Sequence, residues 1–268
     1  MNKLIAAFGI SDSTASVIAT VIIKGVDGEE SMKHKLYVEE LTKVIEEKLI
    51  LNNIHFGLAE KEINFLIGPN GAGKTTVINI LLGLLKKDEG RIYLNNEEIV
   101  APYKKDVKKK FAYMPDEPIL LEWLTGYENL VYMSEIYESK IDSEYLLNIL
   151  LEFDLLKDKD KLVKDYSRGM RQRLSICFLR IYSPEILILD EPTIGLDIIS
   201  VKYLKNVLLS LKSEGKTILI TTHDIHFCQQ IADKIIVINN GVIIKENYLV
   251  DFLEGYNNIE EAILDIVN

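Results

Sequence analysis

Cysteine is scarce in this 268-residue chain: only Cys177 and Cys228 occur. Two cysteines build no disulfide framework, and no Cys/His cluster has zinc-ligand spacing. Both lie in apolar, helix-like surroundings and read as buried thiols of a reducing compartment. No segment reaches the roughly 18 apolar residues of a spanning helix. The nearest, residues 15–23, is short and holds Ser16 and Thr20, and with Lys3 alone ahead of it and no cleavage site after it, it makes a poor secretion signal. Basic residues are outnumbered, 31 Lys and Arg against 41 Asp and Glu, for a net charge of −10. An acidic chain repels phosphate backbones at long range, which disfavours general nucleic-acid binding but leaves room for a local phosphate site. Apolar residues are plentiful at 48%, enough to bury a sizeable core and to exclude wholesale disorder. The length suits one large domain or two modest ones.

Residues 1–31 are rich in small residues and lack helical periodicity. They read as a loosely attached extension, with Met32 as an alternative start, or as an extra edge strand at residues 17–23. Regular patterning begins at Met32. Segments 62–67, 185–189 and 217–221 have the short apolar character of buried parallel strands. Between them run helical stripes at i, i+3, i+4, i+7: Ile78/Leu81/Leu82/Leu85, Leu146/Ile149/Leu150/Phe153, Leu174/Cys177/Phe178/Ile181 and Leu204/Val207/Leu208/Leu211. Strands alternating with helices predict an α/β fold with a mostly parallel sheet covered on both faces. Hairpin turns are expected at Asn95-Asn96 and Asn240-Gly241. Helical patterns without strands place a helical lobe at about residues 126–165. The run Lys104-Lys105-Asp106-Val107-Lys108-Lys109-Lys110 reads as a solvated helix face rather than a lipid-binding patch. The stripe Ile259/Ala262/Ile263/Ile266 in the tail packs on its own body or on a partner; the pattern leaves both open.

Gly68-Pro69-Asn70-Gly71-Ala72-Gly73-Lys74-Thr75 fits G-x-x-x-x-G-K-[ST] between an expected strand at 63–67 and an expected helix at 75–85. Glycines let successive N–H groups converge on phosphate oxygens, and the helix N-terminus adds partial positive charge. Lys74 reaches toward β- and γ-phosphates, and the Thr75 hydroxyl suits Mg²⁺. Downstream, Ile186-Leu187-Ile188-Leu189 ends abruptly in Asp190-Glu191. In an open parallel sheet ligands bind at strand C-termini, so these acids are expected beside the phosphate loop. Asp190 suits Mg²⁺, which keeps part of its hydration shell. Glu191 suits polarisation of the attacking water.

Across most of residues 32–246 the chain resembles the ATP-binding subunit of ATP-binding-cassette (ABC) transporters, exporter-like in its details. The loop continues as Thr75-Thr76. Gly195-Leu196-Asp197 looks like the family's D-loop, with Asp197 facing a partner subunit. Thr221-Thr222-His223-Asp224 matches its switch-histidine segment, and Ser167-Arg168-Gly169-Met170-Arg171-Gln172-Arg173 stands at the signature position. The resemblance implies a P-loop NTPase cassette with an antiparallel β subdomain and a helical lobe, spanning residues 32–247 with a helical tail at 248–268. It implies ATP and Mg²⁺ as cofactors and Lys74, Glu191 and His223 as catalytic residues. Nucleotide contacts are expected from residues 68–76 (Gly68, Pro69, Asn70, Gly71, Ala72, Gly73, Lys74, Thr75, Thr76) and, in trans, from Ser167 and Gly169. Metal contacts are expected from Thr75, Asp190 and Asp116. Partners are then a second ATP-binding subunit, identical or not, and a permease on a separate chain, with the protein cytoplasmic and peripheral on the inner face of the membrane.

Three departures stand out. The signature Tyr166-Ser167-Arg168-Gly169-Met170 differs from the common Leu-Ser-Gly-Gly-Gln but keeps the serine and second glycine. In Tyr113-Met114-Pro115-Asp116-Glu117-Pro118, Asp116 replaces the usual Q-loop glutamine; it is shorter, anionic and acceptor-only. At the place of the adenine-stacking aromatic stand Val44 and Ile45. A soluble ABC-type switch and a weakly hydrolysing regulatory cassette are the alternatives, the second motivated by Asp116 and the signature. Against coiled-coil chromosome and repair cassettes, no heptad stretch separates Lys74 from Asp190.

Overall fold

Alternate residues of the central strands point into two different cores, and that division organises the molecule. The structure, a computed structural model, describes residues 33–117, 119–137, 141–182 and 184–267. The extension 1–31, its alternative as an edge strand, the start at Met32 and Pro118 of the Q-loop lie outside the described residues. The described residues form ten strands, β1 (Leu36–Ile45), β2 (Lys48–Leu58), β3 (Ile63–Ile67), β4 (Glu89–Leu94), β5 (Glu97–Glu98), β6 (Phe111–Met114), β7 (Ile186–Asp190), β8 (Thr217–Thr221), β9 (Lys234–Asn239) and β10 (Val242–Tyr248). One sheet is antiparallel, in the order β2-β1-β4-β5; the other runs β10-β9-β3-β8-β7-β6, parallel except for the edge strand β10.

In the parallel sheet Phe65, Leu187, Leu189, Ile220 and Val237 face a helical layer. Leu66, Ile186, Ile188, Leu219 and Ile236 face the antiparallel sheet and the first helix. Burial on both faces explains why these strands read as continuous apolar runs. The helices are α1 (Lys74–Leu81), α2 (Lys105–Lys108), α3 (Gly126–Ile136), α4 (Ser143–Glu152), α5 (Arg168–Ile181), α6 (Ile198–Ser213), α7 (Ile225–Ile231), α8 (Leu249–Phe252) and α9 (Ile259–Val267). Side-chain caps start several of them, Asp224 on α7 included. Thr125 and Glu128 form a reciprocal capping box on α3, while Asp142, Ser167 and Asp197 cap α4, α5 and α6.

The α1 expectation needs correction. The periodicity predicts a helix over 75–85, but it closes at Leu81. Gly83 adopts φ 71°, the amides of Leu84 and Leu85 both turn back to Asn79 O, and the Tyr103 ring lies 2.8 Å from where a Cβ on Gly83 would stand. Leu82 and Leu85 still pack on the core, from a turn.

Both expected hairpins form, with Asn95, Asn96, Asn240 and Gly241 all at positive φ. A third, joining β1 to β2, turns on Glu46-Glu47 at φ 48° and 63°. The basic run makes the short, largely exposed α2. Cys177 and Cys228 are buried free thiols, and desolvation pushes both well above the ordinary thiol range. The tail packs on its own body: Ile259 and Ala262 are fully buried in the helical-side core, with Ile263 and Ile266 against it. No helix among the described residues is long and apolar enough to cross a membrane.

Candidate nucleotide site

Strand β3 delivers the chain into the glycine loop, and the loop delivers it into α1. At Gly68 a Cβ would collide with the Ile238 carbonyl of β9, so the loop leaves the sheet only through a residue without a side chain. Gly73 caps α1 at φ 109°, with Leu51 Cδ2 2.6 Å from where its Cβ would be. The Lys74 ammonium curls over the loop, donating to Gly68 O at 2.7 Å and Pro69 O at 3.2 Å. Burial lowers its pKa, against the opposing pull of Glu191 and Asp190. Both carboxylates are thus close enough to be felt by the loop lysine.

Those acids sit where β7 ends, one strand removed from β3 across β8. Asp190 Oδ1 accepts a short hydrogen bond from the Thr221 hydroxyl of β8. On the other side, desolvation and the charges of Asp190 and Asp116 push the Tyr113 hydroxyl up to about 12. Glu191 turns out of the strand at φ 46°, a left-handed conformation uncommon outside glycine, held by its N–H donating to Thr221 O at 2.9 Å. This bend points the carboxylate at the switch segment. His223 donates its backbone N–H to Glu191 Oε2 at 3.0 Å, and its Nε2 stands 3.2 Å from Oε1. Oε1 is buried without a properly directed hydrogen bond.

Together these groups wall a cleft of about 600 Å³. Of the sequence-predicted residues it gathers Asn70, Gly71, Gly73, Lys74, Thr75, Thr76, Asp116, Asp190, Glu191 and His223. Gly68, Pro69 and Ala72 form the loop behind the wall. Ser167 and Gly169 are not among its lining. Ser167 caps α5, its Oγ accepting from Met170 N at 3.3 Å, and Gly169 has only Asp197 Oδ2 near its would-be Cβ, at 3.7 Å.

Three lining residues escape the sequence reading: Lys48 and Ile50 of β2, and Ile194. Val44 and Ile45, the expected adenine positions, are exposed and outside the lining. The Glu46-Glu47 turn folds β2 back so that Ile50 supplies the apolar wall. That turn lacks the Asn or Gly that marks a two-residue hairpin, which is why β2 is hard to see in the sequence. The apolar run Leu49-Ile50-Leu51 was the available signal.

A strand, glycine loop and helix, with an acid pair ending a neighbouring parallel strand, define a P-loop nucleotide-binding protein. Residues 51–194 match the ABC transporter family. A lantibiotic transport ATP-binding protein of Streptococcus pyogenes is 35% identical over 84% of this chain and 94% of its own length. The SkfA peptide export ATP-binding protein of Bacillus subtilis is 34% identical over 82% and 91%. Among solved structures, an ATP-binding subunit of an ABC transporter superposes with a TM-score of 0.79 at 28% identity, over 87% of this chain and 99% of that one. An ATP-binding cassette dimer in a post-hydrolysis state with ADP and Pi gives 0.69 at 26% identity, over 80% and 98%. This chain belongs to the ABC transporter family. It is an ATP-binding, ATP-hydrolysing subunit of such a transporter, built on the cassette fold.

Proposed function

We propose that two such subunits close head to tail on ATP and that the closure drives a separate membrane-spanning permease, in the direction of export. The observation that carries this reading is the separation within one chain. The glycine loop, acid pair and His223 share one cleft, while Ser167 and Gly169 stand outside it at the exposed start of α5. A γ-phosphate held by Lys74 of one copy then meets the Ser167 hydroxyl and the α5 N-terminus of the other. Exposed Ile194, Ile198 and Ile199 around the D-loop supply apolar surface for the second copy. The groove of about 350 Å³ between the Q-loop and helical lobe, walled by Ile119, Tyr132, Met133 and Ile136, suits an apolar cytoplasmic segment of the permease. Docking there holds the subunit at the inner face of the membrane. Relatives that carry out peptide and fluoroquinolone export support export of peptides or hydrophobic compounds.

The donor set fits Mg²⁺. Thr75, Asp190 and Asp116 offer hard oxygens, and no group of three His, Cys, Asp or Glu able to cage a metal occurs among the described residues. Such a partial shell suits an ion that completes its coordination with water and phosphate. When bound, Mg²⁺ supplies neutralisation of phosphate charge. The chain's own residues do the rest. Lys74 exchanges its carbonyl partners for phosphate oxygens. Glu191 Oε1, which accepts no hydrogen bond, takes a proton from the attacking water, and His223 fixes the carboxylate through its backbone N–H and faces it with Nε2. Loss of the γ-phosphate removes the charge bridging the copies and opens them.

The test uses Glu191→Gln to stall turnover. With ATP and Mg²⁺ this variant should run as a dimer in size-exclusion chromatography with light scattering. Adding Gly169→Asp, at a position with room for a side chain in the single subunit, should leave a monomer that still binds ATP. Normal turnover and dimerisation with Gly169→Asp would defeat the reading.

A further inference from the structure

Two of the departures in sequence, Asp116 in the Q-loop and Arg168 in the signature, line one cleft. It measures about 420 Å³ and adjoins the nucleotide cleft, with Asp116 and Ile194 lining both. Its charged groups are Asp116, Glu117, Glu122, Arg168 and Arg171. Two of these are committed to each other: Arg171 Nη1 donates to Glu122 Oε1 at 2.7 Å, and Arg171 Nη2 to Lys164 O at 2.8 Å. That leaves Arg168, Asp116 and Glu117 lining the same cleft, none of them ion-paired with a described residue, and the Asp116 carboxylate accepting only the Glu117 backbone N–H through Oδ1 at 2.9 Å. Arg168 extends across the D-loop, its guanidinium carbon 2.7 Å from where a Cβ on Gly195 would stand. Gln172, one turn on, ties the same segment through its side-chain amide to Ile194 O at 3.0 Å. The arginine is therefore held against the D-loop next to Ile194, and Ile194 and Asp116 are the residues that the two clefts share.

We propose that Arg168 is a positioning residue for the Q-loop. Its guanidinium draws the Asp116 carboxylate toward the signature cleft, and Mg²⁺-nucleotide draws it back into the phosphate cleft. Asp116 then has two alternative cationic partners, and the occupancy of one is read out at the other. A glutamine at 116 or a glycine at 168 would have no charge with which to do this. The proposal rests on the Mg²⁺-nucleotide site described above.

The experiment measures ADP affinity of the full-length subunit by calorimetry, in Mg²⁺ and in EDTA, so that γ-phosphate bridging does not enter. Arg168→Gln frees Asp116 for the metal and should tighten ADP binding in Mg²⁺ by about two- to fivefold, the scale of an exposed ion pair. In EDTA the same variant should bind as the wild type does. Arg168→Lys keeps the charge and should behave like the wild type. In an Asp116→Asn background Arg168→Gln should have no further effect. Equal shifts in Mg²⁺ and EDTA, or an Arg168→Gln effect that survives Asp116→Asn, overturn the proposal. An effect abolished by Glu117→Gln but not by Asp116→Asn overturns it as well, by naming the wrong acid. ADP binding indifferent to Lys74→Ala would instead sink the nucleotide-site reading, and this one with it.

Discussion

His223 and Glu191 meet at two points, one through the backbone and one through the side chain. The histidine N–H donates to Oε2 at 3.0 Å while its Nε2 faces Oε1 at 3.2 Å. The backbone contact survives any substitution at 223 other than proline, so carboxylate placement and side-chain chemistry are separable. His223→Ala should leave Glu191 placed and lower turnover, whereas Glu191→Gln should lower it by about 10²–10⁴-fold, the scale of general-base loss. Nucleotide affinity should change little in either. Steady-state phosphate release alongside ATP calorimetry checks this; a Glu191→Gln protein with near-normal turnover would remove Glu191 from the chemistry.

At the D-loop, Asp197 caps α6 by accepting Ser200 N–H at 2.7 Å, and this bond leads the causes that hold its pKa below the usual aspartate value. A depressed folded pKa stabilises the protein above the unfolded carboxylate range and is lost as pH falls through the folded value. Asp197→Ala should cost about 0.5–2 kcal/mol near neutral pH. Asp197→Asn keeps a cap without a titrating group. The wild type should therefore lose stability faster than the Asn variant as pH drops below about 4. Denaturant melts across that range decide it, and parallel loss in both proteins would contradict the assignment.

Gly126 and Tyr166 are in such close approach that a Cβ on Gly126 would strike the tyrosine hydroxyl, which donates to Asp158 O at 2.9 Å. Backbone bonds Gly126 N to Lys161 O and Val163 N to Leu124 O lace the same two segments together. Gly126→Ala should destabilise by about 1–3 kcal/mol. In a Tyr166→Phe background that cost should fall, with a coupling of about 0.5 kcal/mol or more. Additive effects in urea melts would show that the ring does not bear on Gly126.

Ile259 in the tail is fully buried in the core shared with α5, α6 and α7. Ile259→Ala should cost about 2–5 kcal/mol, as for a domain-core residue. A shift of only a few tenths in the urea midpoint-derived free energy would mean that the tail is not part of the folded body.

Most of the architecture was legible because its signals are local. The buried strands at 63–67, 186–190 and 217–221 announce themselves as the apolar runs 62–67, 185–189 and 217–221. The glycine loop and acid pair are contiguous motifs. Less legible were β2, whose turn is made of two glutamates, and the end of α1, where the apolar stripe runs on past a glycine that the Tyr103 ring fixes in place. Lys48 and Ile50 were missed for the same reason: nothing beside them in the chain marks them as a cleft wall.

From residue types and spacing came the α/β class and the phosphate chemistry, and from the resemblance of its motifs the expected family, since each depends on stretches a few residues long. Folding was needed to bring Thr221 onto Asp190, His223 onto Glu191, and Arg168 into the same cleft as Asp116. These pairs are separated by tens of residues, and their meeting is set by strand order and by the bend at Glu191. A linear chain specifies such contacts only through the packed core that aligns β6, β7 and β8 side by side.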